Sequence, residues 1–371
     1  FKEEKFNLDL NTTLKNSTIQ VSETAVVTDR KLFLKVVGSV DQPQEQLNLV
    51  SSNIGIDGMN INMNGSLNYG EKSRIDLQLL SESADLDKAI QLIPASIRKN
   101  LNRFEFDGQA RLAGSINGAL SAVTSPVVDF NFSVTDGTFK DKESNIQFRN
   151  TSLNGNISNG AERGLKTTRL NLKNFSTDTK EGSIAGKLSI DNFENPAYQY
   201  DGNITLDLAE MLELLKAKEI TNAKGKMNAS LSVKGELSKV GEYTIPDWQR
   251  SKIKGELHLE GVGFDISNAP QKITQLSGDL SFNNNSLDIN QLTGNIDQTR
   301  LTLSGKFNNL IAYLLVDTEP VFIDANLTSD HIRLGELLAA NNAEKSSNND
   351  EVYGLDISPR ITVYLGVKAK K

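Results

Sequence analysis

Between residues 253 and 310 apolar side chains recur at every second position: Leu257 and Leu259, Phe264 and Ile266, Leu280 and Phe282, Leu287 and Ile289, then Leu301, Leu303 and Phe307. Successive strand side chains point to opposite faces, so this spacing predicts a sheet with one apolar and one polar face. Glu256, His258, Glu260, Asp279, Ser281, Asp288, Thr302 and Ser304 interleave on the polar side. Turn residues at Asn283 to Asn285, at Asn295 and at Asn308 and Asn309 divide the run into short strands. The expectation is an antiparallel meander, wet on one face.

The same alternation occupies residues 6 to 40 (Phe6, Leu8, Leu10; Ile19, Val21; Leu32, Leu34, Val36) and 54 to 80, where Asn64-Gly65 reads as a hairpin turn. It returns at Phe130 and Phe132, at Leu170 and Leu172, and at Leu188 and Ile190. Three times the period changes from two to that of a helix. Leu86, Ile90 and Ile93 run up to Pro94; Ile204 and Leu206 lead into Leu208, Leu212 and Leu215; Phe322, Ala325 and Leu327 lead into Ile332, Leu334 and Leu338. The recurrence, about 120 residues, predicts an elongating array of β units, each closed by one short helix. The units are residues 1–100, 101–220 and 221–340. Residues 238–251, with the single tryptophan, read as an inserted loop, 341–352 as a flexible polar linker and 353–371 as the start of a further, truncated β unit. The fold class expected is mostly β: an elongated, repetitive antiparallel sheet curled into a groove, with about three short helices.

An apolar fraction of 37% with 6% aromatics is lean for a large compact core, which fits a thin object. The net charge of −7 is interspersed, without a Lys/Arg cluster to track phosphates, so nucleic acid is not an expected partner. Absence of cysteine excludes a disulfide framework, a zinc knuckle and a thiol nucleophile, and fits an oxidising compartment. No run of 18 apolar residues occurs, and the chain opens on Phe1 in what reads as a strand, as an internal fragment would.

Catalytic inventory is poor. His258 between Glu256 and Glu260 reads as a solvated strand face, and His331 as an ordinary first-turn residue. The glycine-rich string at 114–120 lacks a lysine and a strand-to-helix context, and the acid pairs Asp85/Asp87 and Glu351/Asp356 flank loops and helix starts. The expectation is no enzyme, no metal and no cofactor.

About twenty strands alternate, yet a helix of roughly ten residues covers only about 15 Å. Either the apolar face closes on itself, or it is kept for an apolar ligand. The segments IKGELHLEGVGFDI, ITQLSGDLSFNNNSLDINQLTGNI and RLTLSGKFNNL, with the closures ITLDLAEMLELL and ANLTSDHIRLGELL, resemble the AsmA-like family of diderm bacterial envelope proteins, related to bridge-like lipid transfer proteins. PRITVYLGVKAKK is similar to the opening strand of that family's C-terminal region. The resemblance implies a periplasmic β body anchored in the inner membrane by an N-terminal helix outside this sequence. It also implies phospholipid or another acyl lipid as ligand, other envelope proteins as partners, and a role in lipid movement to, or maintenance of, the outer membrane. On that basis the lipid-facing candidates are Phe130, Phe132, Leu170, Leu172, Leu188, Ile190, Leu257, Leu259, Leu280, Phe282, Leu287, Ile289, Leu301, Leu303 and Phe307. If the groove is open, a charge at Phe282 or Leu303 is expected to abolish lipid binding and leave a soluble β protein; global unfolding would make those positions core. The alternative from another class is a non-catalytic envelope scaffold that binds protein partners through its sheet edges. A polysaccharide-active solenoid would need short rungs and a carboxylate cluster, and neither is present.

Overall fold

The structure is a computed structural model that describes residues 4–21, 24–91, 98, 101–121, 124–215, 220–238, 245–267, 271–315, 318–331 and 358–369. It is mostly β, with eighteen strands among the described residues, and it divides into two compact units. The first comprises Phe1–Asp178, Gly186–Tyr198 and Leu237–Glu242; the second comprises Thr179–Ala185, Gln199–Glu236 and Tyr243–Lys371.

In the first unit nine strands follow one another: β1 (Lys5–Val21), β2 (Thr24–Asp41), β3 (Gln46–Ile56), β4 (Met59–Asn68), β5 (Arg74–Asp85), β6 (Phe104–Ala119), β7 (Val127–Asp141), β8 (Gln147–Ser158) and β9 (Arg169–Asp178). Each pairs antiparallel with the next. Helix α1 (Leu86–Ile90) follows β5 and buries no side chain fully. The core is a succession of small clusters rather than one mass. Leu32, Ile56, Met59 and Ala84 form one, Val36, Leu49, Met63 and Leu77 another. Further on, Phe139 and Phe148 stack at 4.7 Å beside Phe104 and Phe106. Asp141, 1% exposed, closes β7: it accepts from Arg103 Nε (2.7 Å), the Ser144 hydroxyl (2.8 Å) and the Glu143 N–H (3.1 Å).

Strands β10 (Ser183–Asp191) and β11 (Ala197–Asp207) contribute to both units. The second unit then runs through α2 (Leu208–Leu215), β12 (Ile220–Glu236), α3 (Ile245–Arg250), β13 (Lys252–Ile266), β14 (Lys272–Asn283), β15 (Ser286–Ile296), β16 (Thr299–Asn308), α4 (Leu310–Leu315), β17 (Val321–Ser329) and β18 (Ile361–Ala369). From β12 to β17 neighbours are antiparallel, whereas β17 and β18 are parallel.

The period-two reading therefore holds, and its departures have local causes. Asn64-Gly65 is no hairpin: both residues lie inside β4, and the turns fall at Asp57-Gly58 and after Asn68. Gly65, at φ +134°, serves close backbone approach instead, since a Cβ there would lie 1.9 Å from Asp76 O. Asn295 continues β15, and the chain reverses at Asp297, whose φ is +51°. Residues 245–250, read as loop, form α3, with Pro246 in the first turn where its missing N–H costs nothing. Helix α4 was not anticipated at all. Of the three predicted closures, α1 and α2 are present, while Ile93, Ile332, Leu334, Leu338 and the linker 341–352 lie outside the described residues. No described helix is long and apolar enough to cross a membrane.

Candidate functional site: an apolar sheet face

In the second unit the ladder registers stack apolar side chains into continuous rows that cross the strands. One row runs Met227, Leu259, Gly278, Leu292, Leu303, Leu327 and Val367; the next runs Ala229, Leu257, Leu280, Ile289, Gly305, Ala325 and Leu365; a third runs Leu231, Gly255, Phe282, Leu287, Phe307, Ile323 and Val363. Antiparallel pairing keeps facing residues on one side of the sheet, and the parallel β17–β18 register preserves the same parity. Burial follows it. Along β13 Lys252, Lys254, Glu256, His258 and Glu260 are exposed, while Ile253 and Leu259 are buried and Leu257 is half-buried between them.

Nine of the predicted lipid-facing residues share this face. Leu259, Leu280, Leu287, Ile289 and Leu301 are buried; Leu257, Phe282, Leu303 and Phe307 are half-buried. Eight of the nine, all but Leu301, belong to or pack on one cluster that also takes in Leu208 and Leu212 of α2. At the other end of the rows Leu310 and Ala312 of α4 meet Phe282 and Leu287 around a depression of about 10 Å³, room for about one water. Exposure changes across β17 and β18: Val363 is 38%, Leu365 48% and Val367 57% exposed. The start of β18 is fixed by Arg360, whose guanidinium lies 4.3 Å from the Tyr313 ring centre and donates to Tyr313 O and Glu319 O.

The remaining six candidates lie elsewhere. Phe130, Phe132, Leu170 and Leu172 come together on one face of β6–β9, in the rows Gly114–Phe130–Ile157–Leu170 and Leu112–Phe132–Gly155–Leu172. All four are half-buried, and the Phe132 ring lies over Gly155, where a Cβ would come within 2.4 Å of it. Leu188 and Ile190 are half-buried on β10. In this unit too the apolar side reaches exposed residues, Phe6, Leu10 and Leu14 of β1.

Sequence reasoning missed Met227, Leu292, Ile323, Leu327, Val363, Leu365 and Val367. For β17 and β18 the parity was legible, but the parallel register that joins them to the face was not. The opposite face is hydrophilic: His258 Nδ1 lies 2.7 Å from Asp279 Oδ1, and Lys306 lies 3.2 Å from Asp288. Among the described residues no three His, Cys, Asp or Glu side chains converge as metal ligands. His331 is exposed and bonded through its backbone to Ser329. No protein family model, curated protein or solved structure matches the chain.

Proposed function

We propose that the second unit is a lipid-handling segment that takes acyl chains on the apolar face of β13–β18. The observation that carries this reading is the continuity of the three rows across seven strands, ending in side chains that remain exposed at β18. An acyl chain laid along the rows leaves water at about 25 cal/mol per Å² of apolar surface covered, which recovers most of what it loses on leaving a bilayer. Such binding needs shape and apolarity but no polar pocket, so the head group stays at the wet edge. In this reading the buried middle of the face supports the site, and the half-buried and exposed residues from Leu303 to Val367 make the contact. The first unit offers a similar face through Phe130, Phe132, Leu170 and Leu172. The resemblance to AsmA-like proteins supports placing this activity in the periplasm of a diderm bacterium, between inner and outer membrane, without catalysis.

A second reading, a scaffold that recruits an extended segment of a protein partner, draws on one specific feature: β18 is paired along β17 and is exposed on both faces, with Tyr364 73% exposed. Native mass spectrometry of the chain purified from bacterial membranes under mild conditions separates the two. Phospholipid retained in proportion to protein, and lost in Leu365→Glu, supports lipid handling. A chain that arrives without lipid and takes up no fluorescent lipid fits the scaffold instead.

A further inference from the structure

Helix α2 is held on the apolar face by a carboxylate. Glu210, in its first turn, accepts hydrogen bonds from the Thr179 hydroxyl (2.7 Å), the Lys180 N–H (3.0 Å) and the Glu181 N–H (3.2 Å), all in the turn between β9 and β10. Thr179 is only 3% exposed. The start of the helix is tied separately: Asp207 accepts from the N–H of Ala209 (2.8 Å) and, across to β12, from that of Gly225 (3.1 Å). Beneath, Leu208 and Leu212 are 6% and 7% exposed in one cluster with Met227, Leu259 and Val262.

An eight-residue helix does not persist by its own propensity, so its place depends on what binds it. Its apolar underside competes for the same surface that a ligand would cover. With the side chain anchored to two backbone N–H groups and a buried hydroxyl, the helix is fixed there rather than poised to lift. Helix α1 has no counterpart: it buries no side chain fully, and its flanking Asp85 is bonded by Lys88 and Gln109.

We infer that Glu210 is a positioning residue that keeps α2 closed over Met227, Leu259 and Val262, so that this end of the apolar face stays covered and acyl chains are confined to the end from Leu303 to Val367. This rests on the lipid reading above. The experiment compares the full chain with Glu210→Ala, Glu210→Gln and Thr179→Val. Apolar surface is read by an anilinonaphthalene sulfonate dye, bound lipid by native mass spectrometry after incubation with phosphatidylethanolamine/phosphatidylglycerol vesicles, and fold by far-ultraviolet circular dichroism.

Expected are a severalfold rise in dye binding and additional or longer-chain lipid in Glu210→Ala, with circular dichroism unchanged. Glu210→Gln, which keeps an acceptor for the backbone N–H groups, should fall between it and the wild type. Thr179→Val, which removes one donor, should shift both readouts the same way by less, and it decides the matter if Glu210→Ala does not fold. Dye binding and lipid unchanged in folded Glu210→Ala, or unchanged in Thr179→Val when that variant decides, overturn the inference. A wild-type chain that takes up no lipid overturns the lipid reading; the dye arm still reports on the tether, so the two failures are distinct.

Discussion

Phe282 stands directly opposite Leu287 across the β14–β15 ladder, a half-buried ring against a side chain 7% exposed. Leu287 pairs onward with Phe307, and Leu310 and Ala312 of α4 close over the pair. The ring is thus part of what holds β14, β15 and α4 together. Phe282→Glu strips a half-buried ring from that contact and sets a charge against apolar neighbours. The expected outcome is loss of about 2–3 kcal/mol of stability, read as a fall in the urea midpoint. An unchanged midpoint with lipid binding lost would instead mean that the ring faces an open groove, as the family resemblance implies.

A cleaner probe of ligand contact lies at β18. Leu365 and Val367 continue the rows of Ala325 and Leu327 but are about half exposed, so the fold draws much less on their apolarity than on that of Leu287 or Ile289. Leu365→Glu and Val367→Glu are expected to move the urea midpoint by an amount equivalent to less than about 0.5 kcal/mol. The phospholipid retained per chain should fall sharply. Retention equal to wild type in the double variant would place the bound lipid elsewhere or leave the edge to a protein partner.

Alternation made the β class, the face parity and most strand positions legible, because Leu257, Leu280, Ile289 and their neighbours are spaced by the pleat itself. What was not legible depends on partners distant in sequence. Whether Gly65 turns the chain or lets β5 approach depends on Asp76, and Asn-Gly reads alike in both cases. The parallel pairing of β17 with β18 joins strands more than thirty residues apart in sequence, so periodicity cannot report it. Nor does parity distinguish buried Leu287 from exposed Leu365, since only tertiary coverage by α2 and α4 separates them.

Glycine on the apolar face is a second testable feature. Gly305 has φ +143°, and a Cβ there would lie 2.3 Å from Asp324 O and 2.5 Å from Ala325 Cα, both backbone atoms that cannot rotate away. Gly261 also has a left-handed φ, +59°, but nothing lies within 4 Å. Gly305→Ala should cost more than about 2 kcal/mol, from backbone strain together with separation of β16 and β17. Gly261→Ala should cost only about 1 kcal/mol, the conformational penalty alone. Equal urea midpoints for the two variants would show that the β16–β17 approach is not tight.

The Arg103–Asp141 contact gives the first unit a pH dependence whose sign is fixed by geometry. Hydrogen bonding to the Arg103 guanidinium, followed by bonds from the Ser144 hydroxyl and the Glu143 N–H, holds the Asp141 carboxyl well below its ordinary 3.8 despite burial acting the other way. A carboxyl whose folded value is depressed adds stability that is complete above the unfolded value and is lost as pH falls below it towards the folded one. Between neutral pH and about 5 no loss from this group is expected; below about 4 the urea midpoint should decline. Asp141→Asn keeps the shape and removes the charge. It should lower stability at neutral pH by about 1–3 kcal/mol, since hydrogen bonds to a charged group are lost while Arg103 stays partly exposed to water. The variant should also flatten the acid limb of the profile. A profile of the same slope in Asp141→Asn would assign that limb to other carboxylates.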